Sequence, residues 1–297
     1  MKNKLLTIFC GSTLLLTACG GGSDGSNNSD SFQSKEKIDY TKPESIESIY
    51  EPIINLSQEQ DNIIAIGTKF AESLYYNIHA GYNFKCSKGS YTKNSDKSIT
   101  FNKCEFLDFA NDDDSRLNRL RIMTISGSVN SKETLSTDSG RYETTLRNFT
   151  ITPPNDVTLT YNGNIVSKYS SISTQYQIKK MSLSVFDDKT KKTQQLIINN
   201  YQLNVNNLII TALGNIEGNP ENKTFSVNFK SDLRFESDMD KATFHPNFAE
   251  IIIEDTNNMK NSIKISNTSN YKALIRAYAD GNTVTGYPKT IEWDDLN

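Results

Sequence analysis

Two histidines and four cysteines among 297 residues leave little room for the familiar catalytic and metal-binding arrangements. His79 and His245 are isolated, and neither stands at zinc-motif spacing from a cysteine. Structural zinc usually takes four nitrogen or sulfur ligands, so no metal centre is expected. The chain has no G-x-S-x-G elbow, no H-E-x-x-H pair, no P-loop and no Rossmann glycine pattern. Asn111-Asp112-Asp113-Asp114 is acidic enough to attract calcium, but it lacks the glycine and distal glutamate of an EF loop and reads as a solvated loop. Basic runs are missing as well. The lysines are scattered among acids and the formal charge is −3, which argues against nucleic acid as a partner. With no linear catalytic motif, neither an enzyme activity nor a cofactor is expected, although sites assembled from distant residues leave no such trace.

The first apolar run, Leu5 to Leu16, is too short to cross a bilayer as a helix. It follows Lys2 and Lys4 and ends in small residues, the layout of a secretory signal over residues 1–18. Leu16-Thr17-Ala18-Cys19 closes the run, and the whole resembles a bacterial lipoprotein signal. That resemblance implies cleavage before Cys19 and attachment of diacylglycerol and palmitate to it. Gly20 stands where an aspartate would be the retention signal for the inner membrane, so the resemblance also implies the outer membrane, facing periplasm or cell surface. Loss of Lys2 and Lys4 takes the charge from −3 to about −5.

Residues 19–37 open on Gly20-Gly21-Gly22-Ser23-Asp24-Gly25 and carry almost no apolar side chain, so they read as a flexible tether. A single β-rich domain over 38–297 follows. With Cys10 in the signal and Cys19 lipidated, Cys86 and Cys104 remain. An even pair in an exported chain reads as a disulfide, and a two-cysteine metal site is the competing reading.

Pro43 to Tyr50 reads as one short helical turn begun by the proline. Ser57-Gln58-Glu59-Gln60 has the capping-box pattern, and Ile63, Ile66, Gly67, Phe70, Ala71 and Leu74 then recur at helical steps. These predict one helix at about 57–77. From Tyr82 onward the period changes to two, as in Val157, Leu159 and Tyr161 or Phe225, Val227 and Phe229. Turn residues such as Asp187-Asp188-Lys189-Thr190 separate the runs, so hairpins are expected.

Gly127, Gly163 and Gly214 each lie two residues from an apolar neighbour on either side, at parity with the buried face. Before two copies of this phrase the apolar parity slips, from Leu146 to Phe149 and from Ile198 to Tyr201, which predicts a bulge in each strand. Such glycines bend a strand or line a close approach, so the sheet should curl around the helix or around a ligand. The expected fold class is mainly β, a large curved antiparallel meander with one N-terminal covering helix, and a β-sandwich is the alternative. Cys86-Ser87-Lys88-Gly89, Phe101-Asn102-Lys103-Cys104 and the strand bearing Gly127 together resemble uncharacterised proteobacterial outer-membrane lipoproteins. That resemblance implies no activity. The expected role is a membrane-anchored, non-enzymatic module that binds or scaffolds an envelope protein. A carrier or chaperone holding lipid or another apolar molecule in the curved sheet is the alternative.

Overall fold

The computed structural model describes residues 36–82, 84–106, 123–153, 157–220, 223–268 and 272–296. The expected signal, Cys19 and most of the expected tether lie outside them. Two helices come first, α1 (Pro43–Leu56) and α2 (Ile63–His79). Strands β1 (Cys86–Lys93), β2 (Ile99–Phe106), β3 (Met123–Leu135), β4 (Ser139–Thr152) and β5 (Val157–Ser170) follow. Next are β6 (Ser173–Asp187), β7 (Lys192–Asn206), β8 (Ile209–Gly218) and β9 (Phe225–Arg234), then a short α3 (Asp238–Ala242). The chain ends with β10 (Phe248–Asp255), β11 (Ser262–Asn267), β12 (Ala273–Ala279), β13 (Asn282–Thr283) and β14 (Lys289–Ile291). All fourteen strands form one open sheet in which β1 to β13 pair in chain order and β14 also pairs with β12. The strand pairs are antiparallel, so the meander is as expected, and among the described residues no second sheet makes a sandwich.

The helical segment departs from the sequence reading in two ways. Pro43 opens a full helix of 14 residues rather than one turn, because Ile46, Ile49, Tyr50, Ile53 and Ile54 give it a buried stripe of its own. Ser57 therefore ends α1 instead of starting α2: its N–H donates to Ile54 O and its Oγ to Ile53 O at 2.7 Å. The N-cap of α2 is Asn62, whose Oδ1 accepts from the N–H groups of Ile64 and Ala65. Fully buried, Asn62 also donates from Nδ2 to Leu56 O, Gln58 O and Tyr201 Oη at 2.9–3.1 Å. Tyr201 on β7 in turn donates to Leu56 O at 2.8 Å. One amide thus ties the end of α1, the start of α2 and the middle of the sheet. The stripe of α2 is also turned from the expected one: Ile64, Ala65, Thr68, Ala71, Glu72, Leu74, Tyr75 and Ile78 are buried, while Ile66 is exposed.

Curvature comes from a row of bulges with glycines beside them. Both predicted register slips are present, between Leu146 and Phe149 in β4 and between Asn199 and Gln202 in β7. Others fall between Phe101 and Cys104 in β2 and between Ile178 and Met181 in β6. Gly127 lies between the bulges of β2 and β4, Gly163 between those of β4 and β6, and Gly214 opposite that of β7. These glycines do not look at the helices. A Cβ on Gly127 would strike the Asn148 carbonyl, and one on Gly163 would sit 2.8 Å from Lys180 O. One on Gly214 would press on Phe229 and on the Tyr201 backbone at 3.2 Å. Their smallness makes room for a neighbouring bulge, and Gly127 also needs its φ of +83°.

The sheet wraps both helices, and the buried apolar side chains of sheet and helices form one continuous cluster. Tyr161 on β5 donates to Ile63 O at 2.8 Å and lies flat under Gly67. Glu36 and Lys37, expected in the tether, already belong to the fold. Lys37 bridges Thr224 in parallel, with Thr224 N–H donating to Glu36 O and Ile38 N–H to Thr224 O. The Sγ atoms of Cys86 and Cys104 are at bonding distance, with Cα atoms 5.1 Å apart, and close the β1–β2 hairpin as expected.

Gly67 separates helix propensity from close contact. In an open helix, Gly67→Ala would stabilise by about 1 kcal/mol. Here the added Cβ would sit 2.6 Å from the Tyr161 hydroxyl oxygen, so the substitution should instead destabilise by about 1–3 kcal/mol. Urea unfolding of the variant gives the sign directly.

Candidate functional site

Strand direction divides the sheet into two rims. The proximal rim holds Thr224, where the described chain begins, together with the 188–191 and 256–261 turns. The distal rim holds the 94–98, 136–138, 171–172 and 207–208 turns and the 235–247 crossover with α3. Of the nine large apolar side chains exposed among the described residues, five lie on the distal rim, whereas the proximal turns hold Met259, 69 % exposed. Leu135 is 67 %, Ile172 61 % and Met239 76 % exposed. Ile209 and Phe248 flank Arg234 in neighbouring strands, and the Arg234 guanidinium lies 5.0 Å from the centre of the Phe248 ring. Burial of such side chains is worth about 25 cal/mol per Å² of apolar surface, which marks this rim as the candidate contact surface.

Beneath this rim, on the concave side, a polar cluster interrupts the apolar core. Glu72 of α2 is buried and accepts three hydrogen bonds: from Thr144 Oγ1 at 2.9 Å, Ser167 Oγ at 2.7 Å and Tyr169 Oη at 3.0 Å. Ser131 adds a second layer, 2.9 Å from Thr144 and 3.4 Å from Tyr76 Oη. Burial raises the Glu72 carboxyl above its ordinary value, opposed by the three hydroxyls and by the Lys69 charge. Around it runs a chain of edge-on ring contacts, Tyr75–Tyr76–Tyr142–Tyr169–Tyr176, with centroids 5.2–6.0 Å apart. At the rim itself a groove of about 580 Å³ lies between Glu59, the β5–β6 and β7–β8 turns and α3. Lys241 reaches into it, 3.4 Å from Glu59 and 3.7 Å from Asp238.

The residues singled out in the sequence do not meet here. Cys86, Cys104 and the three glycines belong to the frame, and Asn111–Asp114 lies outside the described residues. His79 Nε2 lies 2.9 Å from Lys97 O, and His245 Nε2 pairs with Asp294 at 2.7 Å. Among the described residues no three His, Cys, Asp or Glu side chains gather as a metal site, and no helix is long and apolar enough to cross a membrane. Glu72 had a signal in the sequence. It is an acid three residues before Tyr75 and four after Thr68, inside a stripe that is otherwise apolar or hydroxylic. The rim residues had none, since loop tips follow no period. No family model, no curated protein and no solved structure matches the chain.

A second perturbed carboxyl lies on α1. Glu51 is pushed up to about 7, first by burial and then by the neighbouring Glu47 charge, while Lys289 pulls the other way. Lys289, on β14, pairs with Glu47 at 2.7 Å and so fastens the C-terminal segment to α1. A carboxyl raised in the folded state contributes stability that is full below its unfolded value of about 4.3 and is lost as pH rises through about 7. Glu51→Gln should therefore match wild type at about pH 4 or below and melt at a higher temperature than wild type at about pH 9. Thermal melts across that range test it, and an unchanged pH slope in the variant refutes the assignment.

Proposed function

We propose that this protein is an outer-membrane-anchored lipoprotein whose β domain is a non-enzymatic binding module for another envelope protein, docking through the distal rim. The observation that carries the reading is the row of exposed apolar tips, Leu135, Ile172 and Met239, continued by Ile209 and Phe248. They sit at the far end of the strands from Lys37, so a chain anchored through Cys19 would present them away from its own membrane. Exposed apolar side chains interleaved with serines on turns suit protein contact. Asp138, Glu133, Glu236 and Asp238 are exposed on the same rim, and their charge disfavours insertion into an anionic bilayer. The carrier reading has less support. Its apolar guest would need the concave side, where Ile46, Ile49, Ile53, Ile64 and Leu74 of the two helices are already fully buried against the sheet.

Two experiments test this. A photo-crosslinker at Ile172 in intact envelopes should capture a discrete protein, and one at Lys264, in the middle of β11, should not. Leu135→Asp with Met239→Asp should abolish that adduct while shifting stability by no more than about 0.5 kcal/mol each, because both side chains are exposed. Equal capture from both positions, or an adduct insensitive to the double substitution, would overturn the rim. Separately, Cys19→Ser should release a soluble or uncut chain whose β domain still folds, because stable attachment requires more than one acyl chain. Retention on the membrane after a salt wash, equal to wild type, would overturn the anchor.

A further inference from the structure

The Glu72 cluster contains a hydrogen-bond ambiguity with a physical consequence. Tyr169 Oη has one hydrogen and lies beside Glu72 Oε2 at 3.0 Å, Tyr176 Oη at 3.4 Å and Ser167, whose own hydrogen goes to Glu72 Oε1 at 2.7 Å. When Glu72 is ionised, Tyr169 must donate to the carboxylate, because an anion is an acceptor only. Tyr176 then donates to Tyr169, and the donors run inward. When Oε2 carries a proton, that O–H donates to Tyr169, whose own hydrogen turns to Tyr176, and the direction reverses. No heavy atom has to move for this. We infer that Glu72, Tyr169 and Tyr176 form a proton-set latch that holds α2 on the concave face more tightly when Glu72 is protonated than when it is ionised.

The sign follows from the surroundings. Taking a carboxylate out of water disfavours the charged form, and hydroxyl donors with one nearby ammonium recover only part of that cost. The groups facing Glu72 from each neighbouring element make the balance explicit. Lys69 and Tyr76 share its helix, Glu133 on β3 is hydrogen-bonded to Tyr142 on β4, and Tyr169 and Tyr176 come from β5 and β6. Glu59, before α2, acts on Tyr176 from the rim groove. Lys69 is the one cation that acts on Glu72 directly, and it is exposed, while Lys241 is taken up by Glu59 at 3.4 Å. Since α2 carries Tyr76 to its place in the ring chain below the distal rim, its grip on the sheet also sets the order of that surface. The latch itself does not depend on what the rim binds.

Hydrogen exchange of the full-length chain, corrected for intrinsic rates, reads the latch directly. Protection of the 63–79 amides relative to those of β6 and β7 should fall about ten-fold between about pH 5 and about pH 8. In Glu72→Gln, which keeps a neutral hydrogen-bonding group in place, the profile should be flat. Tyr169→Phe removes a donor to the ionised form, so its midpoint should move to higher pH. Flat protection in wild type, or a wild-type profile in Glu72→Gln, overturns the latch. Should Glu72→Gln fail to fold, Tyr169→Phe decides, and an unmoved midpoint there overturns it as well.

Discussion

A fourteen-stranded antiparallel sheet with one apolar face must hide that face, and this chain supplies two helices of 14 and 17 residues with which to do so. A flat sheet of that width would leave most of its apolar side in water. Bending it around the helices solves the problem, and the bend is written into the strands themselves. Each bulge adds a residue and a local twist, and each adjacent glycine removes the side chain that the extra residue would strike. Amide side chains seal the result from outside. Asn162 Oδ1 accepts the Asn148 N–H at the β4 bulge at 2.6 Å, and Asn162 Nδ2 donates to Asn148 Oδ1 at 2.8 Å. Without such partners the displaced backbone groups would be left unpaired, at a cost comparable to a lost hydrogen bond.

Polar groups, rather than shape alone, fix how the helices sit. Apolar contact tolerates sliding, because neighbouring positions on a curved apolar face are nearly equivalent in energy. The tyrosines of β5 and β7 remove that freedom by reaching helix-terminal groups: Tyr161 finds Ile63 O and Tyr201 finds Leu56 O. Asn62 completes the lock from full burial, its Oδ1 accepting from two helix N–H groups and its two Nδ2 hydrogens shared among Leu56 O, Gln58 O and Tyr201 Oη. Buried polar groups with every partner present specify one arrangement where an apolar interface would allow several.

How far the sequence foretold this depends on the range of the interaction that decides each feature. Alternation of two and parity slips are local, so the meander and the bulges before Phe149 and Tyr201 could be read directly. The cysteine pair needed only elimination. The boundary between α1 and α2 went wrong because Ser57-Gln58-Glu59-Gln60 satisfies a local capping rule, while Asn62 wins through Leu56 O and Tyr201, a partner 139 residues away. The glycines were assigned to the right strands and the wrong neighbour, since parity gives the face of a sheet but not the register of the adjoining strand. Glu72 itself stood out as an acid inside the α2 stripe, but the partners that surround it and the members of the distal rim could not be read. They come from α2, α3, several strands and the turns between them, and only the pairing order brings them together.

The parallel bridge between Lys37 and Thr224 has a mechanical meaning. Residues 36–38 run in the same direction as β9, so a force drawn out through the N-terminus beyond the proximal rim acts along the strand axis. The Glu36–Thr224 and Ile38–Thr224 hydrogen bonds then share the load in shear instead of opening one after another as in a zipper. The force also enters the sheet at its ninth strand, far from either edge, where neighbours on both sides spread it. Tension applied at Glu36 would thereby reach the interior of the sheet before either edge strand, at the end of the strands opposite the distal turns.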